Sequence, residues 1–181
     1  MAEETPSGIR MGLVQVYTGD GKGKTTAALG LSLRACGQGL RTYIGQFLKK
    51  RRYGELRGVA RLAPFVTIEQ YGVNERIHAG EVTPEQRAAA REGLARARHA
   101  LVSAHYDIVV MDEVNVALDY GLLSEAEILE LVDSKPPPVE LVMTGRRAPQ
   151  AILDRADLVT EMREVKHPFS RGIHARIGIE F

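Results

Sequence analysis

The chain has 181 residues, 44% of them hydrophobic and 26% charged, a soluble globular mix with enough length for one well-buried core. Its net charge of +1 offers no general basic field to a nucleic acid, and no run of about 18 apolar residues is present to span a membrane. One cysteine, Cys36, rules out an internal disulfide and fits a reducing, cytoplasmic setting, and the polar start lacks the apolar core of a signal peptide.

Residues 12–17 (GLVQVY) read as a buried strand that runs into a glycine-rich turn. The next stretch, KTTAALGLSLRAC, predicts a helix with Leu29, Leu33 and Cys36 on its inner stripe, ended by Gly37 or Gly39. Strands are expected over 41–48 and 65–71. A long helix is expected from about 84 to 104, with Pro84 in its first turn and Ala90, Leu94, Ala97 and Leu101 facing inward. Arg87, Arg91, Arg96 and Arg98 fall largely off that stripe, as a solvated face would.

Residues 107–113 (DIVVMDE) form an apolar run ending in acids, which suits a central parallel strand covered on both faces. A helix over 124–132 starts with Ser124 and Glu127 in capping-box spacing. A strand over 139–145, a short helix over 149–156, a strand over 158–165 and an edge strand over 173–181 complete the chain. The proline run at 135–140 reads as a rigid connection, so residues 1–181 form one domain with a short N-terminal arm over 1–11. Alternating strands and helices argue an α/β fold: a three-layer, mostly parallel sheet with right-handed crossovers. Ligands of such sheets gather at the carboxyl ends of the strands.

The first of those ends carries Thr18-Gly19-Asp20-Gly21-Lys22-Gly23-Lys24-Thr25, followed by Thr26. It follows the phosphate-loop pattern G-x-x-x-x-G-K-[ST], with the first glycine displaced to Gly19. Glycines let backbone N–H groups converge on an anion, and the helix that follows presents its positive end. Lys24 supplies charge to phosphate oxygens, and the Thr25 hydroxyl can ligate Mg²⁺. Lys22 is either a second phosphate contact or an exposed loop lysine. Asp112 fits the Walker-B aspartate, and Glu113 can bind the metal or polarise a water; spacing does not say which acid touches the ion. The loops 48–53 (LKKRRY) and 144–150 (TGRRAPQ, with Arg146 and Arg147) either hold phosphates or are solvated. Lys166 and His167 follow the last long strand. His78, His99, His105 and His174 show no metal-ligand spacing, and no Ser/His/Asp or Cys/His set is supported.

TGDGKGKTTAALG, RACGQG, GQFLK, VVMDEV, TGRRAPQAILDRADLVTEM and the VKHPF…GIEF ending occur in this order over residues 9–181. Together they resemble the corrinoid adenosyltransferases that adenosylate cob(I)yrinic acid a,c-diamide and cob(I)alamin. The resemblance implies a RecA-like P-loop fold, a homodimer, Mg²⁺ or Mn²⁺, ATP, and a reductase, expected to be a flavoprotein, that supplies Co(I). It implies that Co(I) attacks C5′ of ATP and that triphosphate leaves. Gly19, Asp20, Gly21, Lys22, Gly23, Lys24, Thr25 and Thr26 then match the ATP loop. Glu113 matches the family's metal-binding glutamate, and Arg34 matches an arginine on the helix after the loop. A Co(I) nucleophile needs no general base, only positioning and stabilisation of the leaving charge by Lys24 and Lys22.

Two features depart from the family. About ten residues precede the first strand where relatives have a longer arm. Residues 71–84 (YGVNERIHAGEVTP) replace an aromatic GFTW-like stretch that lines the corrinoid, and the chain has no tryptophan. Tyr71, Val73, Lys166 and His167 are the remaining candidates for corrinoid contacts. A corrinoid without the lower nucleotide loop would need less help to reach four-coordinate cobalt. The alternatives are a small P-loop NTPase or a small-molecule kinase, which would yield ADP.

Overall fold

A computed structural model of the chain describes residues 9–50, 53–73 and 81–180. Most of the arm expected at 1–11, together with Arg51, Arg52 and residues 74–80, His78 included, therefore lies outside the described residues. The elements in order are β1 (Val14–Thr18), α1 (Lys24–Cys36), β2 (Thr42–Phe47), α2 (Gly54–Val59), β3 (Val66–Tyr71), α3 (Pro84–Val102) and β4 (Ile108–Asp112). They continue with α4 (Val114–Asp119), α5 (Glu125–Asp133), β5 (Glu140–Thr144), α6 (Gln150–Leu153) and β6 (Leu158–Glu161).

The six strands form one sheet in the order β3-β2-β4-β5-β1-β6, and every pairing is parallel. β5 thus separates the strand that leads into the glycine loop from the strand that ends in Asp112. The side-chain period of two sorts each strand between two cores. Val109 and Met111 of β4 join Leu94, Leu101, Ile128 and Leu131 on the face covered by α3 and α5. Ile108 and Val110 join Ala28, Ala35, Ile44 and Val142 on the face covered by α1. Each fully buried valine, leucine, isoleucine or methionine side chain among them contributes roughly 1.5–3 kcal/mol by leaving water. The result is the three-layer α/β architecture of P-loop NTPases, all parallel where a mostly parallel sheet was expected.

α3 buries Ala90, Leu94, Ala97 and Leu101, the stripe its periodicity predicts. Its N-terminus carries a capping box between Thr83 and Gln86, and α5 carries the expected one between Ser124 and Glu127. α1 differs from expectation. Its inner face is Lys24, Ala28, Ser32 and Ala35, whereas Leu33 is 58% exposed and Leu29 and Cys36 are only partly covered. Small side chains bring the helix close to the sheet, so the close-packing stripe lies one residue N-terminal to the larger apolar one. The edge strand expected over 173–181 is absent from its described part, residues 173–180, which follow an irregular path ending in a turn. α2 and α4 are short helices that the strand-and-helix reading did not contain. Among the described residues no helix shields β6 at the sheet edge, and Leu158 and Val159 are 39% and 46% exposed.

Candidate active site

The carboxyl ends of β1, β2, β4 and β5 open on a cavity of about 790 Å³. Its walls include Gly21 to Thr26, Lys49, Tyr53, Glu55, Glu113, Tyr120, Arg146, His167 and Glu180. The size is that of a pocket for a nucleotide-sized ligand.

The glycine loop is shaped by the backbone that leaves β6. Gly19 has φ of 89°, and a Cβ there would lie 2.5 Å from the Met162 carbonyl oxygen. Gly21 donates its N–H to that same oxygen at 2.6 Å. These glycines therefore serve close backbone packing as well as an anion, and the Gly21 N–H is already used. Among the described residues, the N–H groups of Lys22, Gly23 and Lys24 have no backbone partner. They lie at the N-terminus of α1, where Gly23 with φ of 126° is the cap, so the positive end of the helix faces the cavity.

Lys24 Nζ folds back on the loop, donating to the carbonyl oxygens of Gly19 at 2.6 Å and Gly21 at 2.7 Å. Burial lowers its pKa, and the nearby Arg146 adds to that, while Glu113, Asp20 and Asp112 work in the opposite direction. Lys22 Nζ donates to Glu180 at 3.1 Å and to the Ile179 carbonyl oxygen at 3.1 Å. Arg176 in turn grips Glu180, holding its carboxyl at a pKa of about 2. The C-terminal segment thus rests on the phosphate loop.

Asp112 is fully buried at the end of β4. Its Oδ1 accepts from the Thr25 hydroxyl and the Thr144 hydroxyl, both at 2.8 Å. Its Oδ2 accepts from Gln46 at 3.0 Å and Lys49 at 2.9 Å. Glu113 follows in the left-handed region, φ 64°, with its N–H on Thr144 Oγ1 at 3.0 Å. That turn sends its carboxyl into the cavity, where burial first, and then the charge of Asp112, raises its pKa. Hard cations take oxygen ligands. Asp112 has both oxygens doubly engaged, whereas the Thr25 hydroxyl keeps an acceptor lone pair and Glu113 faces the space beside it. The donor set fits Mg²⁺ or Mn²⁺ held by Thr25 and Glu113, with Asp112 orienting Thr25.

His167 reaches the cavity wall, and its Nδ1 accepts the Phe169 N–H at 3.2 Å, which leaves Nε2 to face a ligand. The structure brings Lys22, Lys24, Thr25, Thr26, Glu113 and His167 together. Gly19 and Asp112 support the loop from outside the cavity wall, and Asp20 is exposed and does not line it. Arg34 is exposed in the last turn of α1 and is not part of this cavity. Lys166 is exposed and Val73 half-buried, and neither lines it. Tyr71 is 8% exposed, with its hydroxyl bonded to Tyr43 and Glu69 and its ring packed against Gly93, so it belongs to the core side of β3. The loops 48–53 and 144–150, which the sequence left between phosphate binding and solvent, put Lys49, Tyr53 and Arg146 on the cavity wall, and Glu55 and Tyr120 line it as well. Lys49 and Arg146 were detectable by position, since each follows a parallel strand. Glu55 and Tyr120 carried no such signal.

The sequence profile of the ATP:corrinoid adenosyltransferase family BtuR/CobO/CobP matches residues 10–181. An uncharacterized protein of Nostoc sp., all2391, is 39% identical over 170 residues, covering 87% of this chain; the chain spans only 45% of that relative's length. The corrinoid adenosyltransferase of Escherichia coli K12 is 34% identical over 176 residues, covering 94% of this chain and 86% of the relative. That of Pseudomonas aeruginosa is 36% identical over 173 residues, covering 94% and 84%. With a phosphate loop in place and a family profile matched from Arg10 to the last residue, the chain belongs to the ATP:corrinoid adenosyltransferase family.

Proposed function

We propose that this transferase moves the 5′-deoxyadenosyl group of ATP to the Co(I) centre of a corrinoid and releases inorganic triphosphate. The observation that carries the reading is the charge arrangement at one end of the cavity. Lys22, Lys24, Lys49 and Arg146 converge there with the N-terminus of α1, while no described side chain stands as a general base paired with a nucleophile. Such a site suits a polyanionic leaving group and an attacking atom supplied by the substrate.

The electron pair of Co(I) forms the bond to C5′, and the C5′–O5′ bond breaks with its pair going to triphosphate. Cobalt is thereby oxidised to Co(III), and no proton needs to move. The loop N–H groups and lysines hold the triphosphate and stabilise its added charge. Thr25 and Glu113 would hold the Mg²⁺, which when bound supplies further positive charge to the phosphates. Tyr53, Tyr120, Leu29 and Val116 line the less polar part of the cavity, suited to the adenosyl group. Next to it, Phe169 is 71% exposed and Ile179 58%, an apolar rim suited to a broad macrocyclic acceptor. A homodimer and a flavoprotein reductase belong to this reading through the family resemblance. So does an acceptor without the lower nucleotide loop, given the missing aromatic stretch; faster turnover of cobalamin than of cobinamide would refute that part.

The test combines the protein, Mg²⁺-ATP and a chemically reduced corrinoid, followed by product identification. Adenosylcorrinoid and triphosphate in equal amounts are expected. ADP as the main product, with no Co–C bond formed, would show a P-loop NTPase or kinase instead.

A further inference from the structure

Lys49 belongs to no recognised phosphate-loop motif, yet the chain is shaped to aim it. It leaves β2 just after Leu48, a non-glycine residue held at φ 64°. That conformation costs of order 1 kcal/mol and persists only where surrounding structure enforces it. Two contacts enforce it here. The Leu48 N–H donates to the Tyr71 carbonyl oxygen at 3.0 Å, and Gly72 packs so closely that a Cβ would lie 2.7 Å from the Lys49 nitrogen. The side chain then passes the Tyr53 ring, 5.6 Å from its centroid, and ends on the cavity wall with 18% of its surface exposed.

At that point Lys49 Nζ sits 2.9 Å from Asp112 Oδ2, while the Thr25 hydroxyl holds Oδ1 of the same carboxylate. Lys49 therefore stands one carboxylate's breadth from the residue that closes the phosphate loop. Burial alone would lower its pKa, but Asp112, Glu113 and Glu55 outweigh that and keep it charged. An ammonium has three protons to donate. Asp112 takes one, and Glu55 at 3.7 Å is a charge contact beyond hydrogen-bond reach. Among the described residues the other two have no acceptor, and the side chain borders the cavity.

We propose that Lys49 is a ligand of the leaving triphosphate, held beside the phosphate loop by Asp112 and by the turn at Leu48. Asp112 acts as its dock: it neutralises the ammonium and leaves two N–H donors for phosphate oxygens. The inference rests on the proposed function, since triphosphate must occupy the cavity.

The experiment is a calorimetric titration of inorganic triphosphate, and in parallel of orthophosphate, into the metal-free full chain. Lys49→Met is expected to weaken triphosphate about tenfold or more, the worth of one charge-assisted contact. Lys49→Arg should stay within a few-fold of the unaltered chain, and the loss for orthophosphate should be smaller. Unchanged triphosphate binding by Lys49→Met overturns the inference. So does an equal loss for both anions, which would mark Lys49 as only a support for Asp112 and Thr25. Should Lys49→Met not fold, Lys49→Gln, which keeps a donor for Asp112, is read in the same way. No binding of triphosphate by the unaltered chain overturns the proposed function, and this inference with it, so the two failures are distinguishable.

Discussion

The Thr25 hydroxyl donates to Asp112 Oδ1 at 2.8 Å, tying the start of α1 to the end of β4 across 87 residues of sequence. The same carboxylate accepts from Thr144, Gln46 and Lys49, so one buried anion ties the segments after β1 and β2 and the ends of β2 and β5 to the end of β4. Removing it leaves several donors unpaired. Asp112→Ala is expected to destabilise by about 3–5 kcal/mol, as for one partner of a buried ion pair. Thr144→Val removes one donor and should cost about 1–2 kcal/mol. Urea unfolding followed by circular dichroism measures both. Equal effects would mean that the network does not converge on Asp112.

Glu113 and Asp112 are neighbours with different tasks. Only Glu113 has its carboxyl turned into the cavity, through its left-handed backbone. Glu113→Gln should therefore raise the Mg²⁺ concentration needed for activity by about tenfold or more. It should leave the melting temperature nearly unchanged or higher, because burial already disfavours the charged carboxyl. A metal titration of activity beside thermal melts checks both. A large loss of stability without any change in metal dependence would assign the glutamate to the fold.

Glu69 lets pH be used as a probe of the β3 edge. Burial opposes its ionisation, but hydrogen bonds from Tyr71, Tyr43 and Arg96 outweigh it and hold its pKa below the ordinary value. A carboxyl depressed in the folded state adds stability above its unfolded pKa and loses it as pH falls through the folded one. Glu69→Gln should lower the melting temperature at neutral pH, and the difference should shrink below about pH 4. A pH-independent difference would mean that the charge of Glu69 does not matter.

The face of α1 shows what the sequence made legible and what it did not. The strand-and-helix order, the inner stripe of α3 and the phosphate loop are readable because period, caps and glycines are local properties. The face of α1 was misread because Leu29 and Leu33 outrank Ala28 and Ser32 in hydrophobicity, whereas the close approach to the sheet selects small volume. The loops of Lys49 and Arg146 stayed undecided between phosphate binding and solvent for a related reason: chain order does not show which strand ends are neighbours until the sheet order is known. Ala28→Leu should cost about 1–3 kcal/mol by overpacking. Leu33→Ala, at an exposed position, should fall within about 0.5 kcal/mol. Denaturant unfolding of both variants decides the orientation, and a larger cost for Leu33→Ala would place the leucine stripe inward after all.

Glu180 holds Lys22, a lysine of the phosphate loop, at 3.1 Å. Both loop lysines are satisfied by protein groups: Lys24 by two loop carbonyls, and Lys22 by Glu180 and Ile179. In the proposed reaction triphosphate would share or take over these donors. The Lys22–Glu180 pair is half exposed on the lysine side, so its coupling is modest. Glu180→Gln should thus tighten triphosphate binding about two- to fivefold and strengthen product inhibition by the same factor. Raised ionic strength should reduce the difference, because salt screens an exposed pair. Calorimetry at two salt concentrations measures both effects. Weaker triphosphate binding in Glu180→Gln would reverse the assignment, making the tail a support that holds Lys22 in place for the ligand.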